Sequence, residues 1–176
     1  RYQFEVNLFG LARLTQLVLP NMRQKKAGKI INISSMGGKI YTPLGSWYHA
    51  TKHALEGWSD CLRFEVRPFG IDVIIIEPGV IDTEFARVVS TTLPPESKTG
   101  PYKSIVNAIT SQSNSSDENT FSASPPSLIA ETISRVVKTN RPKTRYAVGA
   151  MARLAIFMRK WLGDRIFDRV LTSMVS

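Results

Sequence analysis

Apolar residues recur along the chain at two different spacings. In residues 3–24 they return every three or four positions, which predicts an amphipathic helix that ends near Gly28. Residues 29–34 (KIINIS) and 72–77 (DVIIIE) are short β-branched runs that are apolar on both faces, as in the strands of a covered parallel sheet. A second helix is predicted between them, at residues 47–67. This strand–helix–strand order with short connections predicts a right-handed crossover and an α/β fold with a doubly wound parallel sheet.

The second half of the chain has a less regular pattern. A helix is predicted at residues 126–139 and a third strand at 144–149. The intervening residues 84–125 are rich in proline and serine, with one short helix predicted at PYKSIVNAI. Because this segment follows the carboxyl end of a strand, where open α/β sheets bind ligands, we expect a mobile lid rather than a disordered insertion.

Residues 150–176 are predicted to form a helical tail that is both apolar and basic. Within 150–162 the apolar residues make one helical stripe: Leu154, Phe157, Met158, Trp161 and Leu162. Three basic residues lie outside that stripe: Arg153, Arg159 and Lys160. The stripe can dock on the rest of the domain or attach shallowly to an anionic membrane surface. We expect docking.

Composition and charge narrow the class of protein. A chain of 176 residues with 43% hydrophobic and 21% charged residues can form one domain with a sizeable core. The net charge of +9 is concentrated between Arg141 and Arg169, where eight basic and two acidic residues give +6. Because no aromatic-basic platform accompanies this charge, we expect no nucleic-acid partner. The single cysteine and the lack of an apolar run of about 18 residues predict a cytoplasmic protein, with peripheral membrane contact only through the tail.

Tyr48 and Lys52 lie four positions apart on the helix predicted at 47–67, so their side chains share one face. Lowering the pKa of a tyrosine from about 10 to about 7 requires roughly 4 kcal/mol. One ammonium about 4 Å away supplies roughly that much at an effective dielectric constant near 20. The pair is therefore a candidate general acid/base, although the spacing alone also fits a lysine lying beside a half-buried aromatic ring.

The surrounding motifs resemble the classical short-chain dehydrogenase/reductase family. The family pattern matches INISS with Ser35, thirteen positions before Tyr48, then the Tyr48–Lys52 pair, then IIIEPGVIDT, and FEVNLFG with Asn7 upstream. The resemblance implies a Rossmann-like doubly wound parallel sheet. Residues 1–149 would be the C-terminal, catalytic part of that domain, and residues 150–176 its tail.

The resemblance also implies a role for each matched residue in an oxidoreductase that uses NAD or NADP. Tyr48 would exchange a proton with the oxygen of an alcohol or ketone, and Ser35 would hold that oxygen. Lys52 would bind the nicotinamide ribose and lower the pKa of Tyr48, and Asn7 would anchor a water in a proton relay. Four residues after the second strand would meet the nicotinamide end of the cofactor: Pro78, Gly79, Ile81 and Thr83.

Other chemistry-bearing residues receive different interpretations. Ser34 is the rival of Ser35, since alternation along a strand points only one of them into the site, and the spacing to Tyr48 favours Ser35. His49 and His53 have helical spacing for a metal pair but no clear third ligand, so we expect surface histidines and no metal. Cys61 is expected to be a packing residue.

The family's glycine-rich phosphate turn has no counterpart in residues 1–176, so we expect the chain to be a fragment of a longer protein and inactive by itself. A non-catalytic, association-only subunit is the alternative. The helices at 3–24 and 47–67, through which this family commonly pairs, predict a homodimer or homotetramer. The substrate is expected to be a hydrophobic alcohol or ketone in an apolar pocket lined by Met36, Tyr41, Leu44 and Trp47.

Overall fold

The computed structural model of the chain describes residues 1–85, 88, 95–114 and 123–175. In the first half, helices and strands alternate as the hydrophobic pattern predicts. In chain order these elements are the turn Tyr2–Phe4, the π-helical segment Glu5–Phe9, helix α1 (Gly10–Lys25), strand β1 (Gly28–Ile33), helix α2 (Ser46–Val66) and strand β2 (Ile71–Pro78). Short 3-10 turns follow β1 and α2, at Met36–Gly38 and Arg67–Phe69.

The second half adds three helices and a strand. They are α3 (Lys103–Asn114), α4 (Ser127–Lys138), β3 (Arg145–Val148) and α5 (Ala152–Val175), with a 3-10 turn at Pro95–Lys98. The predicted helix at 126–139 and strand at 144–149 are thereby confirmed, and the short helix predicted at PYKSIVNAI is α3. The predicted lid, 84–125, lies partly outside the described residues, and its mobility stays a prediction.

The three strands form one parallel sheet in the order β1–β2–β3. The pairing of β1 with β2 runs from Gly28 opposite Ile71 to Ile33 opposite Ile76. Among the described strands β1 pairs only with β2, so it lies at an edge of the described sheet. The carboxyl ends of all three strands meet at one edge, where a doubly wound sheet places its ligand site.

The core lies on both faces of the central strand. Four consecutive residues of β2, Val73 to Ile76, are buried, which is the pattern of a strand covered on both sides. On one face, Leu62 and Val66 of α2 pack against Ile30 and Val73. Burial of each such side chain contributes about 1.5–3 kcal/mol. This packing holds the end of α2 against the sheet, and the start of the helix lies beside the carboxyl end of β1, where Lys52 Nζ donates to the Ile33 carbonyl.

The carboxyl-terminal helix docks differently from the prediction. Its backbone turns at Gly163 (φ 68°, ψ 177°), so α5 consists of two segments. The buried contacts come from Ala155 and Phe167, which pack against Ile40. Of the predicted stripe, Met158 joins this cluster, whereas Leu154, Phe157, Trp161 and Leu162 are exposed. The expected docking of the stripe is therefore wrong. Within the described residues, no helix combines the length and the apolar character that a bilayer crossing needs.

Candidate active site

Ser35 and Tyr48 meet at the carboxyl end of β1. Ser35 follows the strand and caps the Met36–Gly38 turn, where its Oγ accepts a hydrogen bond of 3.0 Å from the Gly37 amide. The Ser35 hydroxyl also lies close enough to the Tyr48 phenol to stabilise its ionised form. Burial raises the pKa of the Tyr48 phenol above its usual value, and the Ser35 hydroxyl offsets part of that rise. The phenol therefore keeps its proton at neutral pH.

Ser34 and Ser35 have different surroundings, and these decide which of the two is the candidate catalytic serine. Ser34 is buried, and its Oγ has no hydrogen-bond partner within the described part of the chain. Ser35, not Ser34, is the serine that the structure places against Tyr48.

Lys52 lies one turn beyond Tyr48 on α2. Its Nζ donates a hydrogen bond of 2.9 Å to the Ile33 carbonyl at the end of β1, and lies 5.9 Å from the centre of the Tyr48 ring. Burial lowers the pKa of this amine, and the charge of Glu56 partly offsets the effect. The net pKa shift of Tyr48 is upward, opposite to the lowering that the sequence predicted from Lys52. Burial of the phenol is the main cause, and the Lys52 ammonium is bonded to a backbone carbonyl instead of to the phenol oxygen.

Asn7 reaches the same helix from the π-helical segment. Its Nδ2 donates to Thr51 Oγ1 at 3.1 Å, and this hydroxyl donates to the Tyr48 carbonyl at 2.8 Å. Asn7 is thus linked through Thr51 to the backbone of Tyr48. A π-helical segment inside a helix is often found at functional sites. Its part in a proton relay from Lys52 stays a prediction.

The segment after β2 brings the predicted cofactor residues to the edge of the sheet. Gly79 donates its amide to the Val148 carbonyl at 2.8 Å, and a Cβ there would collide with the Ala150 carbonyl oxygen. The backbone of residue 79 lies so close to the backbone of Val148 and Ala150 that only glycine fits there. The structure therefore requires a glycine at this position whether or not a cofactor binds. Ile81 makes a β-bridge with Ser124.

Sequence reasoning missed Phe85, whose ring centre lies 5.2 Å from that of Tyr48. Phe85 comes two residues after Thr83, which is exposed and accepts a weak hydrogen bond from the Phe85 amide at 3.4 Å. Its signal in the sequence was only an apolar residue at the start of a polar segment. The contact brings the segment after β2 directly over the candidate catalytic ring.

His49 is not the surface residue that was expected. It is buried, and its Nε2 accepts a hydrogen bond of 3.0 Å from the Thr42 amide. The proton of a neutral ring then lies on Nδ1, which is 2.9 Å from the Gly37 carbonyl and donates to it. His49 thus ties the turn after Ser35 to α2, while His53 is exposed as predicted.

Cys61 is exposed, so its prediction as a packing residue is wrong. The wrong predictions for His49 and Cys61 have one cause. Helical spacing shows which residues of α2 share a face, but the elements packed around the helix decide which face is buried. In the described ranges, no three His, Cys, Asp or Glu side chains are grouped as metal ligands would be.

A buried ionic cluster, absent from the sequence predictions, lies behind the site. Glu56, one turn beyond Lys52, accepts from Lys39 at 2.9 Å and from Arg145 at 3.1 Å. The Arg145 guanidinium also binds Asp60 at 2.7 Å and lies 3.4 Å from Glu77. Burial and the charge of Glu56 raise the pKa of Glu77 from 4.5 to about 7. The cluster ties α2 to β2 and β3.

An open groove of about 1070 Å³ lies between α2, α3 and α5. Of the four predicted pocket residues, Tyr41 lines it, and the Tyr41 hydroxyl donates to Asp168 at 2.7 Å. The other three do not: Met36 packs against the Phe167 cluster, Trp47 is largely exposed beside Phe4, and Leu44 is exposed. The predicted pocket is therefore not assembled around this groove.

Comparison with known proteins agrees with this geometry. The family model described as short chain dehydrogenase matches residues 1–94, which include all four predicted catalytic residues. The chain belongs to the short-chain dehydrogenase/reductase family. This match covers more than half of the chain. The assignment to this oxidoreductase family, and to its Rossmann-like fold, therefore rests on more than a few short motifs.

Individual members of the short-chain dehydrogenase/reductase family align with nearly the whole chain. The 3-ketodihydrosphingosine reductase of Bacteroides thetaiotaomicron is 31% identical over 172 residues, covering 96% of this chain and 62% of that protein. A short-chain dehydrogenase structure from Streptomyces avermitilis has a TM-score of 0.68 at 31% identity, covering 97% of this chain and 58% of its own. The closed form of serine dehydrogenase complexed with NADP+ has a TM-score of 0.62 at 27% identity, covering 81% and 52%.

The chain spans about half to six-tenths of the length of the curated relatives that it matches. The alignment therefore places this chain against part of each relative.

Proposed function

We propose that this chain carries the catalytic residues of an NAD(P)-dependent oxidoreductase that interconverts a hydroxyl and a carbonyl group. The observation that supports the proposal best is that Ser35 and Lys52 both converge on Tyr48: the Ser35 hydroxyl lies near the phenol, and the Lys52 ammonium lies 5.9 Å from the centre of its ring. The alternative of an association-only subunit is weaker, because it gives no reason for these three side chains to converge.

Tyr48 serves as the general acid when the carbonyl is reduced. Its raised pKa keeps the phenol protonated, so the proton is available to the carbonyl oxygen as that oxygen gains negative charge. The Ser35 hydroxyl donates a hydrogen bond to the same oxygen and stabilises the developing charge. A bound nicotinamide supplies the hydride in this direction and accepts it in the other. In alcohol oxidation, Tyr48 takes the proton back.

Residues at the edge of the sheet fit the nicotinamide end of a dinucleotide. Lys52 holds a donor-rich ammonium at the end of β1, and the exposed hydroxyl of Thr83 lies after β2. Both belong to the carboxyl edge of a parallel sheet, where dinucleotides bind in open α/β folds. The solved relative with NADP+ supports a nicotinamide cofactor, and we propose NAD or NADP without preference.

The proposed substrate is a hydrophobic alcohol or ketone. The relative named 3-ketodihydrosphingosine reductase supports a keto group on an apolar molecule. The Phe85 ring over Tyr48 supports apolar surroundings for the reacting group. Met36, Tyr41, Leu44 and Trp47 remain proposed contacts of the more distant part of the substrate.

The test is Tyr48→Phe in the full-length protein, with Tyr2→Phe as the matched control, since the Tyr2 side chain is 80% exposed. The phenylalanine keeps the ring and removes the proton, so turnover should fall by at least about 100-fold. Affinity for NADPH or NADH, followed by fluorescence, should change less than about threefold. Equal turnover in the two variants would refute the assignment of Tyr48.

A further inference from the structure

The first segment of α5 turns an apolar face outward. Leu154, Phe157 and Trp161 are 48%, 58% and 65% exposed, and their spacing of three and four residues places them on one side of the helix. The rings of Phe157 and Trp161 lie 6.3 Å apart. We call these three residues the outer face. The opposite side of the helix docks through Ala152 and Ala155, so the outer face is not needed to hold α5 in place.

Basic residues border the outer face on one side. Arg153 lies beside Leu154 and donates to the Ala147 carbonyl at 3.3 Å, which holds its side chain near the helix start. The Lys160 ammonium lies 5.1 Å from the centre of the Trp161 ring. Residues 150–176 carry five basic and two acidic residues, a net charge of +3. One of the acids, Asp164, is paired with Arg159 at 2.6 Å.

This arrangement fits the boundary between lipid headgroups and acyl chains. An interfacial helix buries Trp, Phe and Leu at shallow depth while Lys and Arg remain among anionic headgroups. We propose that the outer face, with Arg153 and Lys160 at its border, attaches the protein reversibly to an anionic lipid surface.

A second copy of the chain fits this surface less well. Two outer faces in contact would bring Arg153 and Lys160 of each copy towards the same charges of the other, and lysine is depleted at the centre of protein interfaces. A polyanion such as single-stranded nucleic acid would satisfy the charges but leave Leu154 without an apolar partner.

The experiment measures cosedimentation of the full-length protein with vesicles in 50 mM salt, against a control without vesicles. One set of vesicles is phosphatidylcholine alone, and the other contains 30% phosphatidylserine. The expected result is at least tenfold tighter binding to the anionic vesicles, weakened by raising the salt, because the attraction of Arg153 and Lys160 is screened. No binding to anionic vesicles at low salt would overturn the proposal.

Two variants distinguish the apolar contribution from charge alone. The triple variant Leu154→Ser, Phe157→Ser, Trp161→Ser keeps both basic residues and should bind anionic vesicles at least tenfold more weakly. Val137→Ser on α4, also an exposed apolar position, is the control and should bind as the parent chain does. Circular dichroism verifies that both variants are folded. A triple variant that binds as tightly as the control would overturn the proposal.

Two further outcomes would also overturn it. One is a triple variant that changes the oligomeric state in sedimentation velocity, because the outer face would then be a contact between copies. The other is a single-stranded oligonucleotide that displaces the parent chain from vesicles but binds the triple variant equally well. Because none of these assays involves turnover, the inference does not depend on the proposed function.

Discussion

Burial and the Ser35 hydroxyl act in opposite directions on the pKa of the Tyr48 phenol. Burial raises it, and the Ser35 hydroxyl lowers it because a donor stabilises the phenolate. Ser35→Ala removes the second effect and leaves the first. The pKa of Tyr48 should therefore rise further above 10. Nuclear magnetic resonance of chain labelled at tyrosine ¹³Cζ, titrated between about pH 8 and 11, measures the change, with Tyr48→Phe identifying the signal. An unchanged titration would mean that Ser35 does not hold the phenol.

Glu77 makes a separate prediction about stability and pH. Its pKa is about 7 in the folded chain against 4.5 unfolded, so the folded state holds the proton more tightly. That contribution to stability is fully present below about pH 4.5 and is lost as the pH rises through 7. Glu77→Gln keeps the shape without the charge. It should therefore raise the free energy of unfolding by up to about 3 kcal/mol at pH 8 and change it little at pH 5.

Urea unfolding at the two pH values measures this difference. Glu65→Gln is the matched control, because Glu65 is exposed on the same helix, α2. If Glu77→Gln leaves the stability unchanged or lowers it at pH 8, then the positive charges of Arg145 and Lys39 keep Glu77 charged in the folded state.

At the scale of elements, two glycines test how β2 and α2 are packed. A Cβ at Gly79 would collide with the backbone of Ala150 and lie 2.8 Å from the Ala152 amide, so neither neighbour can move aside cheaply. Gly57 on α2 has nothing within 4 Å of an added Cβ. Gly79→Ala should cost about 3 kcal/mol of folding free energy, whereas Gly57→Ala should gain about 0.5–1 kcal/mol. Thermal unfolding of both variants compares them, and equal stability would contradict this packing.

The helices and strands were predictable because their signals are local. The run at 72–77 is β-branched and bounded by turns, and it became β2 with both faces buried. The positions of Ser35, Tyr48 and Lys52 followed from the same local order. Phe85 and Arg145 could not be predicted, because they reach the site from elements distant in the chain.

In the tail, residue spacing predicted the helix but not which of its faces packs against the domain. The spacing of Leu154, Phe157 and Trp161 predicted one face of a helix, and the helix is present. Which face would dock depended on the small side chain of Ala155 and on the turn at Gly163, which brings Phe167 back to Ile40. The spacing of apolar residues alone does not show which face of the helix docks. The same holds for His49, whose burial depends on the turn that follows β1.

For the molecule as a whole, we propose that α1 and α2 pair with a second copy. Exposed apolar residues lie along the first helical segments and the end of α2: Tyr2, Val6, Phe9, Leu14, Leu17 and Phe64. Leu17→Glu and Phe64→Glu should each shift a dimer or tetramer towards monomer in sedimentation velocity at micromolar concentration. Val137→Glu, exposed on α4, should leave the assembly unchanged. A full-length protein that is already monomeric would contradict this pairing.

The edge position of β1 makes a further expectation for residues 1–176 alone. The sequence of residues 1–176 contains no glycine-rich phosphate turn, and the edge of β1 that no described strand pairs with can pair with another chain. We expect weak binding of NADH and NADPH and a tendency to aggregate. Micromolar cofactor binding by a monomer of this chain, followed by nucleotide fluorescence, would contradict the assignment of the cofactor site.

The most direct test of the central claim follows the hydrogen that is transferred. The full-length protein is incubated with NADH or NADPH that carries deuterium at both C4 positions and with a panel of hydrophobic ketones, and the products are analysed by mass spectrometry. If Tyr48 donates the proton, the product is an alcohol that carries deuterium on its carbinol carbon, formed at least about 100-fold more slowly by Tyr48→Phe and at an unchanged rate by Tyr2→Phe. Deuterium transfer at the same rate in Tyr48→Phe would contradict the role of Tyr48 as the proton donor.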